Sequence, residues 1–189
     1  MDQTKPCVLV LHSSRFGQSI KIAQAISDQL NADGVATEVA ALDKHTTPDP
    51  ARHQGLVLVM SVRYGYFDKA VFTLIKHHLD WLQSVPTLLA TVSLTARNPE
   101  KCDPVVHSYT RKFLEKSPWQ PTQTEVVAGI LEYPRYNIFD RVAIQMIMHI
   151  TNGPTDPTLT IEYTDWDRVK AAASKFAATL ANPAVPPTH

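Results

Sequence analysis

The sequence predicts a three-layer, doubly wound α/β domain on a five-stranded parallel sheet. Short apolar runs alternate with longer amphipathic segments along most of the 189 residues. The hydrophobic period changes between them from about 2 to about 3.6. The segments follow the order βαββαβαβ, which requires crossovers on both faces of a mostly parallel sheet.

Cys7 to Leu11 (Cys-Val-Leu-Val-Leu) suits a strand buried on both faces, and it ends in the polar stretch His12 to Ser19. A helix follows from about Ser19 to Ala32, with Ile22, Ala23, Ile26 and Leu30 at helical spacing and Asp33-Gly34 as its stop. Val35 to Leu42 reads as the second strand and Gly55 to Val62 as the third, across a Pro-rich connection from Thr46 to Pro50. Val71, Phe72, Ile75, Leu79 and Leu82 mark the second helix, and Pro86 precedes a fourth strand, Thr87 to Ser93. A polar loop from Leu94 to Pro104 leads to a helix near Val106 to Glu115 and a fifth strand at Glu125 to Leu131. An insertion, 134–157, then splits the fifth strand, with Leu159 to Tyr163 resuming it. Thr164 to Asp167 has capping-box spacing ahead of a last helix carrying Trp166, Val169, Ala173, Phe176 and Leu180. One domain therefore spans 1–181, and 182–189, with three prolines and no periodicity, reads as a frayed tail.

Composition excludes several classes. Lys and Arg (18) balance Asp and Glu (18), and no basic run interleaves with aromatics, so no nucleic-acid partner is expected. Met1 to Pro6 lacks the pattern of a secretory leader, which predicts a cytoplasmic protein. Cys7 and Cys102 form no paired motif, so free thiols are expected rather than a disulfide or a metal site. The six glycines never form GxG and no GK[ST] occurs, which removes the Rossmann and Walker phosphate loops.

In such sheets ligands bind beyond the carboxyl ends of the strands, where the strand order reverses. Three loops meet there. The first, Ser13, Ser14, Arg15, Phe16, Gly17, Gln18 and Ser19, puts hydroxyls and a glycine at a helix N-terminus, an arrangement suited to a phosphate and equally to an ordinary N-cap turn. The second, Ser61, Val62, Arg63, Tyr64, Gly65 and Tyr66, sets two aromatics about a glycine, as stacking on a planar ring requires. The third, Ser93, Leu94, Thr95, Ala96 and Arg97, is small and polar and has no aromatic.

These turns resemble those of the flavodoxin-like FMN-binding fold. In that fold the first loop holds the FMN phosphate and the other two hold the isoalloxazine, which carries over to 14–19, 61–66 and 93–97. Gly17-Gln18-Ser19 stands where the family has Gly-Asn-Thr, and Arg15 and Phe16 replace its acidic and Thr residues. A closer resemblance is carried by Ser-Val-Arg-Tyr-Gly-Tyr-Phe (61–67), Ser-Tyr-Thr-Arg-Lys-Phe-Leu (108–114), Tyr-Pro-Arg-Tyr-Asn-Ile-Phe-Asp-Arg (133–141) and Tyr-Thr-Asp-Trp (163–166). These segments are similar to the menaquinone-dependent protoporphyrinogen IX dehydrogenase family of bacterial haem synthesis. That resemblance implies FMN-dependent, six-electron oxidation of protoporphyrinogen IX to protoporphyrin IX, with a respiratory quinone as acceptor. A flavodoxin-type electron carrier and an NAD(P)H-dependent quinone reductase are the alternatives; a carrier usually has a strongly acidic surface, and this chain is neutral.

The insertion is distinctive. From Asn137 to Ile150, polar residues recur at every fourth position (Asn137, Arg141, Gln145, His149) among apolar neighbours. The helix would extend about 21 Å, too short to cross a bilayer. It suits peripheral contact with the inner membrane and access to its quinone, a substrate or partner surface, or packing on the domain itself. Arg63 and Arg97 are expected near the flavin, with guanidinium groups available to it or to the substrate's propionates. His12, His77, His78, His107 and His149 are candidate bases by type alone, and no catalytic residue is assigned.

Overall fold

In the computed structural model, residues 6–14, 16–63 and 65–181 are described. Arg15, Tyr64 and the expected tail, 182–189, lie outside them. The main sheet comprises β1 (Cys7–Ser13), β2 (Thr37–Ala41), β3 (His53–Ser61), β4 (Thr87–Ser93) and β5 (Gln123–Ala128). All pairs are parallel and the spatial order is β2-β1-β3-β4-β5, so the order reverses between β1 and β3.

Side-chain alternation explains the layers. Val8 and Val10 of β1, with Val57 and Val59 of β3, face α1 (Gln18–Ala32) and α5 (Trp166–Ala181), where Ile22, Ile26, Leu30, Ala173 and Phe176 cover them. Leu9, Leu11, Leu56 and Leu58 point the other way. They meet Val71, Leu74 and Ile75 of α2 (Lys69–Ser84), Phe113 of α3 (Ser108–Lys116) and Trp119. Each fully buried Val or Leu contributes about 1.5–3 kcal/mol, so a one-residue register slip in β1 would exchange two packed faces at once.

Two helix starts shift from the sequence reading for identifiable reasons. His107 caps α3, its side chain accepting from Thr110 N–H, so the helix begins at Ser108 rather than Val106. At α5 the cap is Asp165, whose Oδ1 accepts from Arg168 N–H (3.0 Å). Thr164, expected as that cap, instead donates its buried hydroxyl to Ala128 O (2.9 Å). Cys7 and Cys102 are free thiols.

The insertion does not interrupt β5. β4 and β5 end together at the Ser93–Ala128 pair, and β4 then enters a 3-10 turn at Leu94–Arg97. A strand prolonged past Ala128 would have no neighbour to bond. The two arms of the insertion therefore pair with each other: β6 (Ile130–Glu132) and β7 (Thr160–Glu162) form a separate antiparallel ribbon, and 159–163 does not resume β5. Between the arms lies α4 (Ile138–Ile150), capped by Asn137, whose Oδ1 accepts from Asp140 N–H (2.8 Å).

Candidate functional site

The carboxyl ends of β1, β3 and β4 open into a cavity of about 400 Å³, within the range of cofactor pockets. The first loop contributes Ser14, Phe16, Gln18 and Ser19 to its wall. Ser14 Oγ accepts from Gly17 N–H (3.0 Å), and Gly17 occupies the N-cap of α1 without a side-chain cap. The first turn of α1 thus faces the cavity with its positive dipole end and has no acidic residue of its own. Gln18 donates through Nε2 to Glu162 Oε1 (2.7 Å) and Thr164 Oγ1 (2.8 Å), which ties this turn to the insertion's ribbon. Its Oε1 is buried with no protein partner.

The second loop contributes Ser61, Val62, Arg63 and Gly65. Arg63 and Tyr66 exchange both backbone hydrogen bonds (2.9 and 2.8 Å), closing a tight turn that needs φ +83° at Gly65. A Cβ on Gly65 would lie 3.0 Å from Tyr109 Cε1, so the glycine also admits a ring from α3 to the cavity wall. Tyr66, expected to stack on a ring, is 77% exposed and sits outside this cavity. With Ser13 it lines an adjoining hollow.

From the third loop come Ser93, Leu94 and Thr95. Ser93 Oγ accepts from Thr95 N–H (3.3 Å) and lies 2.9 Å from Thr95 Oγ1. Ala96 turns away to pack with Val126 and Ala128. Arg97 does not line the cavity, contrary to the expectation of a guanidinium available to a ligand. Its Nη2 donates to Thr151 O (2.7 Å) and Thr151 Oγ1 (2.8 Å), and its Nη1 donates to Leu94 O (3.2 Å). Gly153 permits this approach, because a Cβ there would lie 2.9 Å from Arg97 Nη2. Gly17 likewise lines neither hollow and serves the turn through its backbone.

The remaining wall is one that the loops alone did not reveal. Tyr136, Asp140, Ile144, Ile147 and Met148 of the insertion, with Gly129 and Ile130 at its root, complete the enclosure. The insertion has its own small core of Leu131, Tyr133, Tyr136 and Met148, against which Phe16 of the first loop and Leu94 of the third pack. Phe16 meets Tyr136 edge to face at 5.0 Å between ring centroids. The nearly all-round apolar pattern of 137–150 was the available signal. It marked a helix needing cover on most sides and did not say which sides.

Charge is sparse within the cavity. Arg63 Nη2 lies 2.7 Å from Oδ1 of Asp140, which is only 3% exposed, and Asn137 Nδ2 donates to Asp140 Oδ2 (2.9 Å). Burial pushes the Tyr136 phenol above its ordinary value, and Tyr136 OH accepts from Glu132 N–H (3.0 Å). Burial lowers His107, with Lys101 adding to the effect, so this imidazole is neutral near pH 7. An anion-suited turn, two hydroxyl-bearing edges and an unpartnered acceptor, Gln18 Oε1, around an apolar interior fit a ligand that joins a phosphate and a hydroxyl donor to an apolar ring system.

Residues 9–158 match the flavodoxin-domain family. Protoporphyrinogen IX dehydrogenase (quinone) of Escherichia coli K12 is 38% identical over 169 residues, covering 89% of this chain and 93% of that protein. The protein of the same name from Leishmania major is 40% identical over 188 residues, covering 99% of this chain and 80% of its own length. Among solved structures, a short-chain flavodoxin associated with a bacterial microcompartment superposes with TM-score 0.52 at 14% identity, covering 93% of this chain and 99% of that one. A flavodoxin from Pseudomonas aeruginosa gives 0.51 at 13%, with 93% and 99% covered.

Proposed function

From the premise that this chain belongs to the flavodoxin-domain family, in the branch of the protoporphyrinogen IX dehydrogenases (quinone), we propose that it oxidises protoporphyrinogen IX to protoporphyrin IX, using FMN in the switch-point cavity and a respiratory quinone as acceptor. The single observation carrying this reading is a cavity that joins a phosphate-suited βα turn to an apolar roof formed by α4.

FMN, when bound, supplies the capacity to take electrons from the porphyrinogen and deliver them to the quinone. The chain supplies binding and exclusion. Ser14, Ser19 and the backbone N–H groups at the start of α1 would hold the phosphate, and the edges formed by Ser61 to Arg63, Gly65 and Ser93 to Thr95 would hold the ring system. Tyr136, Ile144 and Met148 form part of the cavity's apolar wall and would exclude water from a ring bound there. No side chain is assigned as general base. His107 is buried behind Thr95, and Asp140 is engaged by Arg63 and Asn137.

The outer face of α4 extends the reading to a membrane surface. Ile138, Val142, Met146 and Ile150 form an exposed row at i, i+4, i+8 and i+12, with Phe139 beside it at 87% exposure. No described helix is long and apolar enough to cross a membrane. A row of this kind suits shallow insertion into the cytoplasmic leaflet of the inner membrane, where a respiratory quinone resides.

The deciding experiment mixes the protein with FMN and protoporphyrinogen IX without oxygen and follows porphyrin fluorescence with and without a menaquinone analogue. Porphyrin that appears only when both FMN and quinone are present supports the reading. FMN binding without porphyrin would replace it with an electron carrier, and turnover driven by NADH with a reductase.

A further inference from the structure

Behind the third loop runs an unbroken chain of polar groups, all buried except the half-buried Thr95. Thr91 Oγ1 lies 2.7 Å from Thr110 Oγ1, which lies 2.7 Å from His107 Nδ1. On the other side of the imidazole, Nε2 lies 3.0 Å from Thr95 Oγ1, which lies 2.9 Å from Ser93 Oγ. Only the last two, Ser93 and Thr95, line the cavity. A neutral imidazole carries one proton, so the chain can run in one of two directions, and the cavity end differs between them.

We propose that His107 is a positioning residue that holds Nε2–H against Thr95 and thereby makes the Ser93–Thr95 pair a net hydrogen-bond donor into the cavity. The cap of α3 decides the direction. Thr110 N–H points at His107 Nδ1 (3.4 Å), so that nitrogen must present a lone pair. Thr91 then donates to Thr110, Thr110 to Nδ1, and Nε2–H to Thr95. Two hydroxyl protons remain, on Thr95 and Ser93. One is consumed in the bond between them, and the other faces the cavity. The reverse direction would end on Glu125 O, 3.4 Å from Thr91 Oγ1, and would set Nδ1–H against the Thr110 N–H. It would leave the third loop with lone pairs alone. Bonds running head to tail polarise one another, which strengthens the terminal donor.

The claim rests on the FMN reading for its ligand: a donor at this edge matches a ring carbonyl of the isoalloxazine, whereas an acceptor would match only its N–H. The tautomer itself does not depend on FMN, and this separates the two ideas.

The first test is the tautomer of His107 in the cofactor-free protein, read by long-range proton–nitrogen NMR of the imidazole. The Nε2–H form is expected; the Nδ1–H form would overturn the proposal. The second is a binding cycle with FMN. H107N keeps a capping oxygen near the Nδ1 position and loses the reach to Thr95. It is expected to retain the wild-type melting temperature at about pH 8 and to weaken FMN about tenfold. On a T95V background the same change is expected to have no further effect. Equal FMN affinity of H107N and wild type, or the same loss in both backgrounds, overturns the positioning role. Failure of the wild-type protein to bind FMN would remove the flavin reading, and the NMR result would still decide the direction of the chain.

Discussion

Arg63 Nη2 and Asp140 Oδ1 lie 2.7 Å apart, joining the loop after β3 to the first turn of α4. At the opposite end of the same helix Arg97 binds Thr151, so two arginines from two cofactor-side loops grip both ends of the roof. Loss of Arg63 takes one close cation from a buried carboxylate that keeps its bond from Asn137. Because the Arg63 side chain is 36% exposed, solvent screening reduces the penalty of a fully buried pair to about 1–3 kcal/mol. R63A is expected to melt earlier and bind FMN more weakly, and D140N, which keeps a hydrogen-bonding partner, is expected to do less harm. Calorimetry and flavin titration check both.

Arg97 acts as a clamp on α4. R97A is expected to loosen the Thr151 end, seen as faster proteolysis within 137–159, while FMN binding through 14–19 persists. R97K is not expected to rescue it, because one ammonium cannot reproduce the forked contacts to Thr151 and Leu94 O. Limited proteolysis with mass readout distinguishes these outcomes.

The exposed row on α4 contributes little to folding. Introducing charge by F139E together with V142E is expected to leave the melting temperature within a degree or two, since both side chains already face solvent. Co-sedimentation with phospholipid vesicles is expected to fall by about tenfold or more. Unchanged sedimentation would remove the membrane role of this face.

Gly65 is required by conformation and by space. G65A forces a side chain into φ +83° and toward Tyr109, 3.0 Å away. A loss of about 1–2 kcal/mol is expected for the backbone alone, with FMN affinity falling as the loop shifts. Denaturant unfolding gives the first quantity and flavin fluorescence the second.

His12 and His107 are both held by burial below the ordinary 6.5. As pH falls through about 6.5 the unfolded chain takes up these protons before the native state does, so stability declines on the acid side and is unaffected by them above it. Melting temperatures between about pH 8 and about pH 5 are expected to fall, and less steeply in H107N than in wild type.

Much of this architecture was legible in the sequence because it depends on local periodicity. The alternation in Cys-Val-Leu-Val-Leu sorts Val8 and Val10 from Leu9 and Leu11 onto two faces, and Gln18–Ala32 shows its buried stripe without reference to any neighbour. The three loops at the carboxyl edge followed from strand order. Tyr109 and Asp140 carried no such signal, since each reaches the cavity from an element distant in sequence and resembles an ordinary surface helix residue when read locally.

The sequence by itself determined the layers, the parallel sheet, the turn at 14–19 and the presence of an apolar helix in 134–157. The tertiary structure alone decided that the insertion pairs with itself beyond the end of β4, that α4 roofs the cavity, and that Arg97 spends its guanidinium on Thr151. The physical reason is range. Periodicity and capping are set by residues within a turn or two, whereas the partners of a charged or hydroxyl group are fixed only when distant segments close on one another and each buried polar atom must find a bond.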